Sequence, residues 1–249
     1  MIGASDTGRS GGADLHDCAA VGRLDIAGWY CSGVLVHARV VLTTAHSGPA
    51  GGSVTPRVVC LGTADLSDAG AADVIAGEFK AHEAYAGKGA CDLAAMILER
   101  GSSVTPVGLA TASEIASATE VILAGFGADR EARLGLSVRR AVRVPIAFFS
   151  SGAGGALPDI LDSVRFNPKS EFLAGAEDRG PSFGDSGGPA YVSVKGERKL
   201  AGIISRPAAR QKPYCNGLTI LTRVDAFESW IQSRIAQACL NALAPKGDP

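Results

Sequence analysis

Short apolar runs separated by glycine, proline and small polar residues fill most of the chain. In its first half they are Ala19–Ile26, Trp29–Val36, Val40–Thr44, Arg57–Leu61, Val74–His82 and Leu93–Leu98. Runs this short, bounded by turn formers, predict strands rather than helices. Residues 99–118 break the pattern and read as a connector: Glu99-Arg100-Gly101-Ser102-Ser103, then Thr105-Pro106, then an Ala/Ser/Thr-rich stretch. A second set follows, made of Glu120–Gly127, Ser137–Ile146, Val164–Asn167, Glu171–Ala174, Ala190–Val194, Leu200–Ser205 and Leu218–Val224, with a glycine-rich loop at Ser150–Pro158. No internal repeat is visible in residue identities. From Asp225 the period changes, with Phe227, Trp230, Ile231, Ile235, Ala238 and Cys239 falling at helical spacings. Asp225 with Glu228 three residues later makes a capping-box-like start, Asp standing in place of Ser or Thr. The pattern therefore predicts an all-β body closed by an amphipathic helix over about 225–243, packed on the second set of strands. Residues 1–13, small and glycine-rich, read as a loop or arm.

Composition adds little that is positive and excludes a good deal. With 249 residues, 46% of them hydrophobic, the chain can bury a sizeable core, as one large all-β domain or two small ones. Its 32 glycines and 12 prolines suit many strands joined by turns. A net charge of −1 gives no reason to expect nucleic acid or an anionic membrane as partner. No apolar run approaches the roughly 18 residues of a spanning helix. The six cysteines are scattered, with no C-x-x-C pair or His/Cys cluster, so no metal site is expected. The segment Met1-Ile2-Gly3-Ala4-Ser5-Asp6 has no basic region followed by an apolar core, so it is not read as a signal peptide. That leaves a cytoplasmic chain, or a secreted one whose leader and propeptide are absent.

Three segments carry candidate chemistry. In Gly184-Asp185-Ser186-Gly187-Gly188-Pro189 a serine sits between an acid and two glycines on what must be a tight turn. Glycines let a substrate carbonyl approach closely. The amides of Gly184 and Ser186 can then converge on a developing oxyanion. The β-branched run Val40–Thr44 ends at His46, before a Ser47-Gly48-Pro49 turn where chemistry can occur. Asp92 opens the apolar run Leu93–Leu98, where an acid is unfavourable unless it has partners. Taken singly, each has an ordinary reading as a surface turn, a structural strand-end histidine and a capping acid.

Taken together, they resemble the chymotrypsin/trypsin family of serine proteases. Thr43-Thr44-Ala45-His46 is similar to the family's Thr-Ala-Ala-His segment, Asp92-Leu93-Ala94 to its Asp-Ile-Ala segment, and Gly184–Pro189 to its nucleophile loop. The chain order His, Asp, Ser is that family's order. Gly125-Phe126-Gly127 resembles the opening of the second barrel, Gly202-Ile203-Ile204-Ser205 the substrate-binding strand, and Val224–Ile231 the lead into the last helix. The resemblance implies two antiparallel six-stranded β-barrels, about 14–104 and about 119–224, with the active site between them and a C-terminal helix. It implies serine endopeptidase chemistry: Ser186 attacks the scissile carbonyl, His46 moves the proton, Asp92 orients His46, and Ser205 hydrogen-bonds Asp92. It implies a protein or peptide substrate, with no cofactor and with any regulatory partner unspecified. An idle binding module on the same fold and an esterase using the same triad are the alternatives.

Departures from the family sharpen these expectations. The cysteine that usually follows the catalytic histidine is Ser47, which leaves Cys31 without its usual partner. The one a few residues before the serine is replaced by Ser182, which leaves Cys215 single. Lost disulfides favour a reducing compartment. The pocket-floor position six before the serine is Gly180, where trypsin-like members carry Asp, and Pro207 and Thr219 would narrow the walls. These imply small or medium uncharged residues before the scissile bond. Arg179 and Arg206 leave acidic residues as a second option, and Asp178 would supply a basic preference if the loop were shifted. Met1-Ile2-Gly3-Ala4 aligns with the segment whose freed ammonium, in the family, inserts beside the acid preceding the serine, so Met1 and Asp185 are expected to pair.

Overall fold

The computed structural model describes residues 18–26, 29–48, 57–67, 72–87, 89–128, 138–150, 164–177, 179–208 and 217–243. Six strands in the first half, β1 (Val21–Ile26), β2 (Trp29–His37), β3 (Val40–Thr43), β4 (Arg57–Leu61), β5 (Asp73–Ala81) and β6 (Ala94–Leu98), close into a barrel in the order β1-β2-β3-β6-β5-β4. A short helix, α1 (Ala112–Ser117), lies in the connector. The second half repeats the plan with β7 (Glu120–Gly125), β8 (Arg140–Phe148), β9 (Glu171–Ala176), β10 (Pro189–Val194), β11 (Glu197–Pro207) and β12 (Gly217–Arg223), closed in the order β7-β8-β9-β12-β11-β10. The two orders are the same, so the halves share a topology that their residue identities hide. Every pairing within the barrels is antiparallel.

Large apolar side chains fill each barrel. Leu24, Leu35, Leu61 and Met96 are fully buried in the first, and Leu123, Phe172 and Leu221 in the second, while Leu173 packs on the other face of β9 with Ala208 and Ile220. Each such side chain contributes about 1.5–3 kcal/mol relative to exposure, against the entropy of ordering it. Barrel closure also removes the exposed strand edges that would invite pairing with other chains.

Three local expectations are overturned. Val164–Asn167 is a turn rather than a strand, with Arg165 at φ 53. The carbonyls of Val164 and Arg165 accept from the guanidinium of Arg206 instead of from a neighbouring strand. Asp225 does not cap a helix, because Arg223 holds its carboxylate at both oxygens, at 3.0 and 2.5 Å. Residues Asp225–Phe227 form a 3₁₀ turn, and the helix α2 runs Glu228–Leu243. That helix packs on β3 and β6 of the first barrel rather than on the second. It buries Ile231 and Ala238 there, Trp230 Nε1 donates to Glu83 Oε2 at 2.7 Å, and the rings of Phe227 and Trp230 lie 5.0 and 5.2 Å from His82. The capping box that does form belongs to α1. There Thr111 Oγ1 accepts from the Glu114 amide at 3.3 Å, and Glu114 Oε2 accepts from the Thr111 amide at 2.8 Å.

Candidate functional site

Asp92 reaches the seam between the barrels because the chain turns sharply just before β6. Cys91 adopts φ 64, and the Leu93 amide bonds back to the Cys91 carbonyl at 2.8 Å. The Asp92 carboxylate is buried, 3% exposed, and accepts three hydrogen bonds. Its Oδ1 takes the His46 backbone amide at 2.9 Å, and its Oδ2 takes His46 Nδ1–H at 2.7 Å and Ser205 Oγ–H at 2.6 Å. Burial pushes this carboxyl up, but the hydrogen bonds and charge of His46, with the Ser205 bond, outweigh it and hold it below the ordinary value. An ionised carboxylate only accepts, so the proton sits on Nδ1 and the lone pair on Nε2 is left to act as a base. His46 itself lies on the 3₁₀ turn Ala45–Ser47 after β3, its side chain 38% exposed at the open side of the seam.

Ser186 stands on a turn hooked to both barrels. Its carbonyl accepts from the Ser32 amide of β2 at 2.8 Å. The next amide, Gly187, donates to Ile204 of β11, and Ile204 donates back to Gly188, both at 2.8 Å. Ile204 adjoins Ser205, so two residues of β11 tie the Ser186 turn to the Asp92–His46 pair. Gly187 has φ 85, and a Cβ there would lie 2.1 Å from the Ser32 carbonyl oxygen, so no side chain fits. Gly184 has φ 92. Among the described residues, nothing accepts from the Gly184 or Ser186 amide, so both remain available as donors.

A family model described as Trypsin matches residues 12–231. The chain belongs to the trypsin family. No curated protein matches it. Trypsin-family proteins are in general serine peptidases acting on protein substrates, although some members are inactive.

The acid preceding Ser186 in this trypsin-family chain, Asp185, is fully buried. Its Oδ1 accepts from the Gly127 amide at 2.8 Å and its Oδ2 from the Ser182 amide at 2.7 Å. Its expected partner Met1 lies outside the described residues. Burial raises the Asp185 pKa from 3.8 to about 6, with the two amides and the charge of Arg140 acting against it. A carboxyl raised in the folded state stabilises the fold fully below its unfolded pKa, and that contribution is lost as pH rises through about 6. Wild type is therefore expected to lose on the order of 2–3 kcal/mol relative to Asp185→Asn between pH 4 and pH 7, measured by urea unfolding at each pH. A constant difference across that range would show that the carboxyl is not raised.

The proposed specificity residues are placed as follows. Gly180 is buried, Thr219 is 3% exposed, and Pro207 is exposed, with Pro207 and Thr219 opposite one another on β11 and β12. Arg179 is exposed, and Asp178 and Cys215 lie outside the described residues. Arg206 is turned inward. Its Nη1 and Nη2 bind Glu171 Oε1 and Oε2 at 2.7 and 3.1 Å, and its other N–H groups reach the carbonyls of Gly89, Val164 and Arg165 and the hydroxyl of Ser205. Its guanidinium is thereby committed inside the protein.

Sequence reasoning missed three residues here. Glu171 is a lone acid opening an apolar run, the same signal that singled out Asp92. Ser32, wholly buried between the barrels, and Phe183, 69% exposed directly before Gly184, had no motif to mark them. Among the described residues, Cys60, Cys91 and Cys239 are free thiols. At the position of the replaced cysteine, Ser47 Oγ lies 2.6 Å from Thr44 Oγ1, while Cys31 Sγ lies 3.8 Å from Thr43 Oγ1.

Proposed function

We propose that this chain is a serine endopeptidase that cleaves after small or medium uncharged residues through an acyl-enzyme on Ser186. The observation that carries the reading is the continuous chain Ser205–Asp92–His46, tied through Ile204 of β11 to a turn with two uncommitted amides. His46 Nε2 takes the Ser186 proton as Oγ attacks the scissile carbonyl, and the imidazolium that forms is stabilised by Asp92. The carbonyl oxygen, now an anion, takes the Gly184 and Ser186 amides. His46 then gives the proton to the leaving amine, and water repeats the sequence to release the acid. Gly180 offers no carboxylate to neutralise a buried Lys or Arg side chain, and a buried unpaired charge is costly. Thr219 and Pro207 narrow the space beside it.

A fluorophosphonate probe is expected to label Ser186 in wild type and to leave Ser186→Ala unlabelled. A peptide library is expected to be cut after residues such as Ala, Val or Thr. No adduct on well-folded protein would favour an idle binding module, ester turnover without peptide turnover would favour an esterase, and a strong preference for Arg or Lys would overturn the pocket assignment.

A further inference from the structure

We infer that Ser32 is a positioning residue for acyl transfer, its buried hydroxyl fixing the peptide between Gly184 and Asp185 and, through it, the direction of the two oxyanion amides. The inference rests on the function proposed above. Ser32 is a residue of β2 in the first barrel, whereas the nucleophile turn belongs to the second, and it is wholly buried where the two meet. All its polar atoms are engaged. Oγ–H donates to the Gly184 carbonyl at 2.8 Å, and Oγ accepts from the Phe126 amide at 2.9 Å. Its own amide donates to the Ser186 carbonyl at 2.8 Å, and its carbonyl accepts from Thr43 Oγ1 at 2.8 Å.

This arrangement leaves the hydroxyl no alternative. Phe126 is 1% exposed, and a buried amide must find an acceptor. Once that amide occupies a lone pair of Oγ, the hydroxyl proton is directed onto the Gly184 carbonyl. The peptide unit is planar, so fixing the oxygen of Gly184 also fixes the amide of Asp185, which donates to the Ser182 carbonyl at 3.1 Å. The soft torsions that remain are those of Gly184 itself, and glycine restrains them least of all residues. Ser32 thus brackets the segment Gly184–Ser186 from both ends, by its hydroxyl at one carbonyl and its amide at the other. Removing the hydroxyl frees the first end, and the Gly184 amide is the donor displaced.

The test is Ser32→Ala, with Ser32→Cys as a second variant that keeps the side-chain shape but hydrogen-bonds weakly. Four quantities are read: melting temperature, steady-state kinetics on a peptide amide, affinities for a peptidyl trifluoromethyl ketone and a cleaved product peptide, and exchange of the Asp185 amide by NMR. A displaced donor is expected to lower kcat about 10- to 100-fold with KM within about twofold. Ketone affinity should fall in parallel, because its adduct carries the oxyanion, while product affinity stays level and Asp185 exchanges faster. Unchanged kcat and ketone affinity in the folded variants would overturn the inference. So would kcat and KM deteriorating together with melting temperature, the mark of a general structural role. If wild type neither labels nor turns over, the proposed function fails and Asp185 exchange alone decides: faster exchange in the variants supports Ser32 as the anchor, and equal exchange overturns it.

Discussion

Asp92→Asn is expected to lower kcat about 10⁴-fold while the barrels stay folded, the size of loss seen when the acid of such a triad becomes an amide. The carboxylate now accepts from three donors, the His46 amide, His46 Nδ1–H and Ser205 Oγ–H. An asparagine offers one oxygen and one NH₂, so in either orientation the NH₂ meets a former donor. The site relieves this conflict by moving the imidazole proton, since Nδ1 can accept from the new amide once its own proton is on Nε2. That tautomer cannot take a proton from Ser186. The checks are kcat on a peptide amide, the rate of fluorophosphonate labelling and the melting temperature. A loss of less than about tenfold, with the fold intact, would mean that Asp92 does not set the imidazole's tautomer.

Glu171→Ala is expected to destabilise the protein by about 3–5 kcal/mol, because it strands a largely buried guanidinium. Glu171 is fully buried, the Arg206 side chain is 20% exposed, and their bond is bidentate. Glu171 Oε2 also accepts the Asn167 amide at 2.8 Å, so the turn at 164–167 loosens with it. Denaturant unfolding measures the loss. Replacing both Glu171 and Arg206 by leucine should recover only part of it, since the stranded charge is removed but the carbonyls of Val164 and Arg165 and the Asn167 amide lose their partners. Stability within 1 kcal/mol of wild type for Glu171→Ala would show that the charges are not desolvated at all.

The elements and the candidate site residues were legible to different degrees, for physical reasons. Arg57–Leu61 matches its predicted bounds, and most other strands differ by a few residues at their ends. Their apolar residues face a closed interior and are bounded by turn formers. His46, Asp92 and Ser186 were legible because each sits in a local context that chemistry demands, and the structure brings His46 and Asp92 to 2.7 Å. What pairs across the seam was not. Periodicity showed that α2 has a buried face, yet nothing in it says which barrel receives that face. The turn at 164–167 reads as a strand because Val164 and Phe166 alternate with Arg165 and Asn167, and only the distant Arg206 reveals where those carbonyls go. Asp225 spelled a cap, but Arg223 two residues earlier claims its carboxylate.

The seam also sets an order in time. The proposed base and its orienting acid, His46 and Asp92, belong to the first barrel. Ser186, Ser205 and Thr222, whose hydroxyl donates to the Asp92 carbonyl at 3.1 Å, arrive with the second. Then α2, the last described element, returns to rest on β3 and β6. A chain emerging from the ribosome therefore carries His46 and Asp92 before Ser186, Ser205 and Thr222 have been made. Whatever bond-breaking this site performs begins only when the two halves have met, which protects the nascent chain from its own half-built machinery.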